Sequence, residues 1–251
     1  MAQWHAKPMG SYARGSTEGN DNATLIASWL MRQYGWTFEA CCGMLGNIAA
    51  EGGLNPWQYE LTYTQQLGRL PTKAEANSTN QYGMGLIGWT PCRKYTLPNN
   101  TYFPEYDLST FRGYGPNFYD ETGNTNDGHA QTDLIGKLLV ANNGRGHSNF
   151  WAFRTDSYDQ INYNVRGEVY KTITDIAYAC KVWLWQAEYP AEIHGGVNPA
   201  PTENYRINKA LAWYNELGGS SFVPIPDPVE NIGAPLILIL KKIADRSRGL
   251  L

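Results

Sequence analysis

The chain has 251 residues, 17% of them charged and 13% aromatic, and its formal net charge at pH 7 is −3. This length allows one large domain, or one domain with an appendage. We find no basic stripe of the kind that a nucleic-acid-binding protein needs. The charged fraction lies below the average of about 25% for soluble proteins. A surface rich in Asn, Gly, Tyr and Trp suits neutral, hydroxyl-rich ligands such as sugars, although many extracellular proteins share this composition.

The N-terminal residues are predicted to form an irregular arm that precedes the first helix. Residues 1–20 are polar and interrupted by glycines, and they lack the apolar core of a signal peptide. Apolar residues then repeat at helical spacing. This spacing predicts a helix from about Asn22 to Tyr34, with Gly35 as its end.

The second predicted helix begins near Thr37 and ends at a glutamate. Its apolar residues follow the i, i+3, i+4, i+7 spacing of one helical face: Cys41, Met44, Leu45 and Ile48. Glu51 lies on the same face, and Gly52-Gly53 supplies a left-handed cap that ends the helix. We expect loss of water contact and the negative end of the helix dipole to raise the pKa of the Glu51 carboxyl. Such a group can donate a proton at neutral pH; the alternative is an ordinary surface glutamate.

Segments without helical spacing follow. Residues 54–81 are expected to form a hairpin or a loop. The segment from Gly83 to Trp89 alternates glycine with apolar residues, which predicts an extended chain that can pass close to a ligand. Residues 94–127 are an aromatic-rich insertion. Because a loop of this length is usually functional, we predict a lid or wall beside a groove, with a self-packed loop as the alternative.

Three further helices are predicted in the second half of the chain. They begin near Gly128, at a capping box that starts at Thr172, and at Thr202. The last helix is expected to bury Ile207, Ala210, Leu211 and Tyr214. Residues 218–233 are rich in Gly, Ser and Pro and predict a linker. Residues 234–251 contain an apolar run shorter than the roughly 20 residues that a membrane span requires, and we interpret them as a docking segment for a partner.

The four cysteines and four histidines do not have the spacing of a metal site. Cys41 and Cys42 are adjacent, and no Cys-x-x-Cys motif or histidine pair accompanies them. Cys41 and Cys180 fall on apolar helical stripes, which favours buried free thiols, with a disulfide between two helices as the alternative. No phosphate-binding Gly-Lys-Ser/Thr loop is present. We therefore expect neither a metal nor a cofactor.

Two motifs carry a resemblance to a known family. Residues 46–56, Gly-Asn-Ile-Ala-Ala-Glu-Gly-Gly-Leu-Asn-Pro, are followed by residues 83–90, Gly-Met-Gly-Leu-Ile-Gly-Trp-Thr, and by Arg93. Together they resemble the phage tail lysozyme family, which consists of lysozyme-like domains on bacteriophage tail tips that cut peptidoglycan. Glu188-Tyr189-Pro190 is similar to the Glu-x-Pro near which a late helix of that family ends. The resemblance covers roughly residues 20–217.

The resemblance implies a mainly α (α+β) lysozyme-like fold, in which a helical domain and a small β-hairpin lobe enclose a substrate groove. It divides the chain into an arm (1–20), a catalytic domain (21–217), a linker (218–233) and a docking segment (234–251). Glu51 is then the general acid. Glu60 lies at about the offset where phage lysozymes have an Asp, and it is either the second catalytic carboxylate or a solvated loop residue. The expected substrate-binding residues are Trp57, Tyr82, Gly85, Trp89 and Arg93.

The activity that the resemblance implies is that of a muramidase. Such an enzyme cleaves the β-1,4 bond between N-acetylmuramic acid and N-acetylglucosamine. One alternative is a lytic transglycosylase, which needs only Glu51 and uses the sugar's own 6-hydroxyl as nucleophile. Another is a non-catalytic plug of the tail tip, favoured by Gly88, which stands where the family has a Gln expected to touch substrate. The expected partners are peptidoglycan and other phage tail proteins, the latter through residues 218–251. The expected location is the virion tail tip, after synthesis in the host cytoplasm.

Overall fold

The structure, a computed structural model, describes residues 1–5, 12–56, 58–69, 75, 78, 81–88, 128–129, 131–133, 135–136, 165, 167–188 and 200–226. The mainly helical fold expected from the sequence is confirmed. The helices are α1 (Thr17–Tyr34), α2 (Phe38–Glu51), α3 (Leu61–Leu67), α4 (Gly167–Tyr170), α5 (Ile176–Trp183) and α6 (Ala200–Glu216). A π-helical turn, Leu184–Glu188, continues α5, and a 3-10 turn, Gly219–Ser221, follows α6.

Helix α2 lies at the centre of the molecule. The predicted apolar stripe is fully buried, but so is almost every other residue from Phe38 to Ile48. The reason is the close approach of α5 and α6 to two glycines. A Cβ atom at Gly43 would lie 2.7 Å from the Cβ of Ala179 on α5, and one at Gly46 would lie 2.6 Å from the Cβ of Ala210 on α6. The absence of side chains at these glycines therefore lets α5 and α6 pack closely against α2.

Side-chain caps set the helix starts at positions that differ from the predicted ones. Helix α1 begins at Thr17 rather than Asn22, because the Ser16 hydroxyl accepts a hydrogen bond from the Gly19 amide at 3.0 Å. Helix α5 begins after Asp175, whose carboxylate accepts a bond from the Tyr178 amide at 3.0 Å. The predicted capping hydroxyl of Thr172 instead donates to the Val169 carbonyl at 2.8 Å.

Both ends of the described chain pack against the helices. Trp4 and Tyr12, within the segment predicted to be an irregular arm, are each 3% exposed and belong to the hydrophobic core. In the segment predicted to be a linker, the Phe222 ring stacks on Phe38 with a centroid separation of 4.2 Å, and the Ile225 amide donates to the Ser28 hydroxyl at 3.0 Å. The insertion at 94–127 and the segment 234–251 lie outside the described residues.

Where a small β-hairpin lobe is expected, the described part of the chain has one antiparallel bridge, between Tyr59 and Met84. We call residues 58–69 and 81–88 the small lobe. The Glu60 amide donates to the Gly83 carbonyl at 3.0 Å, and the Gly85 amide donates to the Gln58 carbonyl at 2.8 Å. Beyond the bridge the chain does not run extended as predicted. A hydrogen bond of 3.2 Å from the Gly88 amide to the Gly85 carbonyl closes a turn, which folds the glycine-rich segment back on itself.

A buried glutamine fixes this lobe to the helical body. The Gln131 side chain is fully buried and accepts a hydrogen bond from the Leu86 amide at 2.8 Å. Its amide nitrogen donates to the Pro56 carbonyl at 2.9 Å. Gln131 thus satisfies two backbone groups that no strand pairs, and it holds the glycine-rich turn beside the Asn55-Pro56 turn.

Cys41 and Cys180 are buried free thiols, as expected from the sequence, and Cys42 is a third. Burial raises the pKa of each, that of Cys180 to about 12. Among the described residues, no group of three or more His, Cys, Asp or Glu side chains is arranged to hold a metal ion. Nor does any helix in the described ranges have both the length and the apolarity of a membrane span.

Candidate active site

A groove of about 210 Å³ lies between the C-terminal end of α2 and the small lobe. We call it the Glu51 groove. It brings together three of the predicted site residues: Glu51, Glu60 and Gly85. Its other lining residues are Ile48, Gly53, Gln58, Tyr59, Gly83, Met84, Leu86 and Gly88. Residues that lie far apart in the sequence therefore face one cleft, with a wall that is rich in glycine.

Glu51 is the last residue of α2, and the helix ends there because Gly52 and Gly53 adopt φ angles of 141° and 113°. These positive angles disfavour any residue with a side chain. The Glu51 side chain is 41% exposed, so the buried stripe of α2 stops at Ile48. The burial that we expected for Glu51 is therefore wrong, because the last turn of α2 extends beyond the packed core.

A buried arginine from α6 holds the Glu51 carboxylate. The guanidinium of Arg206 contacts the Oε1 atom of Glu51 directly, and the Arg206 side chain is only 6% exposed. The same guanidinium donates to the Asn47 side-chain oxygen at 3.3 Å. Asn47 is itself fixed by bonds from its amide nitrogen to the Gly43 carbonyl, at 2.9 Å, and the Cys180 carbonyl, at 3.0 Å. A network that reaches from α5 through α2 to α6 thus sets the direction of Glu51.

Among the carboxyl groups of the described residues, the one with a clearly raised pKa is Glu188, at the end of the π-helical turn. Burial and, next, the negative charge of Glu51 raise the pKa of Glu188 to about 7. The positive charge of Arg206 and a hydrogen bond of 3.1 Å from the Trp183 indole act in the opposite direction. Glu188 therefore keeps a proton near neutral pH, the property that we expected for Glu51. Strongly shifted carboxyl groups of this kind concentrate at functional sites.

The buried face of α6 carries charged residues, contrary to the prediction from the sequence. The face consists of Glu203, Arg206, Ala210 and Trp213, whereas we predicted Ile207, Ala210, Leu211 and Tyr214. Leu211 is 40% exposed. Glu203 is buried because its carboxylate accepts a bond of 2.8 Å from the Trp185 indole and pairs with Lys181 at 3.1 Å. The sequence signal was the helical spacing of two charged residues with Ala210 and the bulky Trp213.

Glu60 lies at the groove wall formed by the small lobe. One carboxylate oxygen accepts a bond of 3.0 Å from the Gly83 amide, and the other accepts a bond of 2.6 Å from the Thr62 hydroxyl. Glu60 is exposed to solvent. These bonds fix the position of the Glu60 carboxyl group at the edge of the groove that also contains Glu51.

Gly85 and Tyr82 are the other predicted site residues that the structure describes. Gly85 lines the groove within the glycine-rich turn. The ring of Tyr82 stacks on Tyr63 with a centroid separation of 4.3 Å, and its hydroxyl contacts Gln66. Tyr82 is therefore engaged within the small lobe and does not line the groove. Trp57, Trp89 and Arg93 lie outside the described residues, as do Tyr189 and Pro190.

Comparison with known proteins agrees with the motifs. A family model described as phage tail lysozyme matches residues 21–217. A segment of 76 residues is 38% identical to "Morphogenesis protein 1" of Bacillus phage B103. That match covers 30% of this chain and 16% of the phage protein, so the chain spans a small part of this relative's length. Because the family match extends over most of the sequence, the chain belongs to the phage tail lysozyme family.

Proposed function

We propose that this chain is a peptidoglycan hydrolase of the phage tail, and specifically a muramidase. It cleaves the β-1,4 bond between N-acetylmuramic acid and N-acetylglucosamine, and so opens the host wall during genome delivery. The observation that carries the proposal is the pair of carboxylates, Glu51 and Glu60, in one groove with a glycine-rich wall. Family membership and the similarity to a phage morphogenesis protein support a place in the virion, in contact with other tail proteins.

Glu51 is the proposed general acid. Cleavage of a glycosidic bond requires a proton on the leaving oxygen, and a carboxyl group commonly supplies it. The contact with Arg206 fixes the direction of the Glu51 side chain, which lines the groove and is 41% exposed. A glycan bound in the groove would displace water, and a carboxyl group removed from water favours its neutral, proton-donating form.

Glu60 is the proposed second carboxylate. The positive charge that develops on the sugar ring must be stabilised, or a water molecule activated, by a second group. The hydrogen bonds from Gly83 and Thr62 hold the Glu60 carboxylate at the groove edge. Each oxygen still has a lone pair for water or substrate.

A lytic transglycosylase is the second candidate. The hydrogen bond from the Gly83 amide to Glu60 ties the start of α3 to Gly83, so Glu60 has a structural role that needs no part in catalysis. In that reaction Glu51 acts alone, and the sugar's 6-hydroxyl attacks in place of water. A non-catalytic tail-tip plug is the third candidate. Gly88 supports it, since an exposed glycine in the groove offers no side chain where the family resemblance leads us to expect a Gln.

The test is mass spectrometry of the soluble fragments released from purified Gram-positive peptidoglycan. We compare the wild type with Glu51→Gln, Glu60→Gln and the control Glu168→Gln. Glu168 matches Glu51 closely, because its side chain is 42% exposed and pairs with Lys171, but it does not line the groove. Removal of a general acid should reduce product release by about 10²- to 10⁴-fold.

The fragments distinguish the three candidates. Disaccharide peptides with a reducing end, lost in Glu51→Gln and kept in Glu168→Gln, support the muramidase. Fragments lighter by one water, unaffected by Glu60→Gln, support the transglycosylase. Release at the wild-type rate by Glu51→Gln would exclude Glu51 as the acid, and no release by the wild type would favour the structural plug.

A further inference from the structure

A second cleft, of about 410 Å³, adjoins the Glu51 groove at Gly53, which lines both. We call it the Lys209 cleft. It lies between the segment Tyr12–Arg14 and the exposed side of α6, and Gly52 forms part of its floor. A ligand that leaves the groove across the Gly52-Gly53 turn would therefore enter this cleft.

The two clefts carry opposite charge. Among the described residues, the charged ones that line the Glu51 groove are Glu51 and Glu60, both acidic. In the same part of the chain, the charged residues that line the Lys209 cleft are Arg14 and Lys209, both basic. Arg14 already pairs with Glu216 at 3.0 Å. Within the described residues Lys209 makes no ion pair, and its ammonium lies 4.8 Å from the ring centroid of Tyr205. A positive charge thus remains available to a ligand.

An exposed aromatic ring accompanies this charge. Tyr205 is 55% exposed although it is a large residue, and it lines the cleft together with Asn208. A ring of this kind packs against the apolar parts of a peptide, while Asn208 offers both a donor and an acceptor to peptide groups. The lining therefore combines features that suit a short acidic peptide better than an uncharged sugar.

We propose that the Lys209 cleft binds the acidic stem peptide of peptidoglycan. This inference rests on the proposed function: the stem peptide branches from N-acetylmuramic acid, one of the two sugars at the bond that Glu51 would cleave. A sugar in the groove brings its peptide, with negatively charged carboxylates, to the adjoining cleft. There Lys209 and Arg14 form charge-assisted hydrogen bonds with the peptide carboxylates, and Tyr205 packs against its side chains.

The first experiment measures binding and does not depend on catalysis. A sugar-free stem tetrapeptide that retains its free carboxylates is titrated by calorimetry into the full chain carrying Glu51→Gln. We compare this protein with forms that also carry Lys209→Gln or Arg14→Gln, and with Lys171→Gln as the control, since Lys171 pairs with Glu168 away from the cleft. We expect about tenfold weaker binding for Lys209→Gln, the loss of one exposed charge-assisted bond, and no change for Lys171→Gln.

Two results would overturn the inference. One is no measurable binding of the tetrapeptide, or equal binding by Lys209→Gln and Lys171→Gln when circular dichroism shows both folded. The other is binding of glycerol phosphate, the repeating unit of wall teichoic acid, in place of the peptide. Failure of the proposed function would look different. If the tetrapeptide binds but the wild type does not cleave peptidoglycan, the peptide-binding role of the Lys209 cleft stands and the muramidase activity is refuted.

Discussion

One buried cation serves two carboxyl groups that come from different helices. Arg206 contacts Glu51 at the end of α2, and its charge also acts on Glu188 at the end of the π-helical turn. If both carboxyl groups were ionised, the cluster would carry one uncompensated negative charge away from full solvation. With a proton on Glu188 the cluster is neutral, which agrees with a pKa for Glu188 raised to about 7 by burial and by Glu51.

This arrangement predicts a pH-dependent stability that Glu188→Gln removes. Because the pKa of Glu188 is raised from 4.5 to about 7 by folding, the folded state binds more protons than the unfolded state between these values. The free energy of unfolding therefore falls as pH rises through this window, by at most about 3 kcal/mol. Urea unfolding at pH 5 and pH 8 should show Glu188→Gln gaining stability relative to the wild type at pH 8.

The control for this prediction is Glu168→Gln, whose difference from the wild type should be similar at both pH values. The charge of Glu51 contributes to the raised pKa of Glu188. Glu51→Gln should therefore lower the pKa of Glu188 and narrow the pH range over which stability falls. A Glu188→Gln variant with the same difference from wild type at pH 5 and pH 8 would contradict the account of a protonated Glu188.

At the scale of helices, the contacts of α2 depend on the two glycines that face its neighbours. We expect Gly46→Ala to destabilise the protein by about 1–3 kcal/mol, the usual cost of overpacking a core. The new methyl group would meet the Cβ of Ala210 at 2.6 Å and the carbonyl of Arg206 at 2.7 Å, so α6 must shift. Thermal unfolding and activity should both change, since α6 carries the residue that holds Glu51.

A matched control separates packing from helix propensity. Replacement of glycine by alanine inside a helix would by itself stabilise the helix by about 1 kcal/mol. Asn204→Ala introduces alanine at an exposed position of α6 and should leave stability nearly unchanged or slightly raised. If Gly46→Ala were as stable as Asn204→Ala, the close approach of α2 and α6 would not limit stability.

The sequence predicted α2 well because local signals agree along its length. The apolar spacing and the Gly52-Gly53 stop, which predicted the helix, both act within α2, and so does the Thr37 cap that the structure adds. Thr37 accepts a bond from the Ala40 amide at 3.1 Å, and the helix ends at Glu51. The local signals brought Glu51 into the list of candidate residues, whereas Glu60 and Gly85 came from the family resemblance. The structure gathers these three residues in one groove.

The features that the sequence did not predict depend on contacts between residues far apart in the chain. Their hydrophilic side chains predict that Arg206 and Glu203 are exposed. Both are buried because they bind partners on other segments. Arg206 and Glu51 are 155 positions apart, and no local pattern encodes such a contact. The expected burial of Glu51 was wrong because helical spacing predicts the face on which a residue lies but not where the packed core ends.

At the scale of the whole molecule, the N-terminal residues are part of the core. Trp4 is 3% exposed and its ring occupies the space beside Gly128, where a Cβ atom would lie 2.3 Å from it. His5 pairs with Asp21 of α1 at 3.0 Å. These contacts join the first residues both to α1 and to the helical residues near 128.

We therefore expect Trp4→Ala to lower the free energy of unfolding by about 3–5 kcal/mol, the usual cost of truncating a buried tryptophan. Met1→Ala is the control, since Met1 is fully exposed and should have no effect. Denaturant unfolding of the full chain provides the measurement. Equal midpoints for the two variants would mean that the N-terminal residues do not contribute to the core.

The three buried thiols allow transient opening of the helical core to be measured by chemical labelling. A reagent such as a disulfide dye reacts with thiolates, and burial both blocks its access and raises the pKa of Cys41, Cys42 and Cys180. Labelling of these positions thus requires the helices to separate. Cys92, the fourth cysteine, is replaced by serine so that only the three buried thiols react. The rate of dye release then measures how often the helices of the native protein separate, without an attached probe.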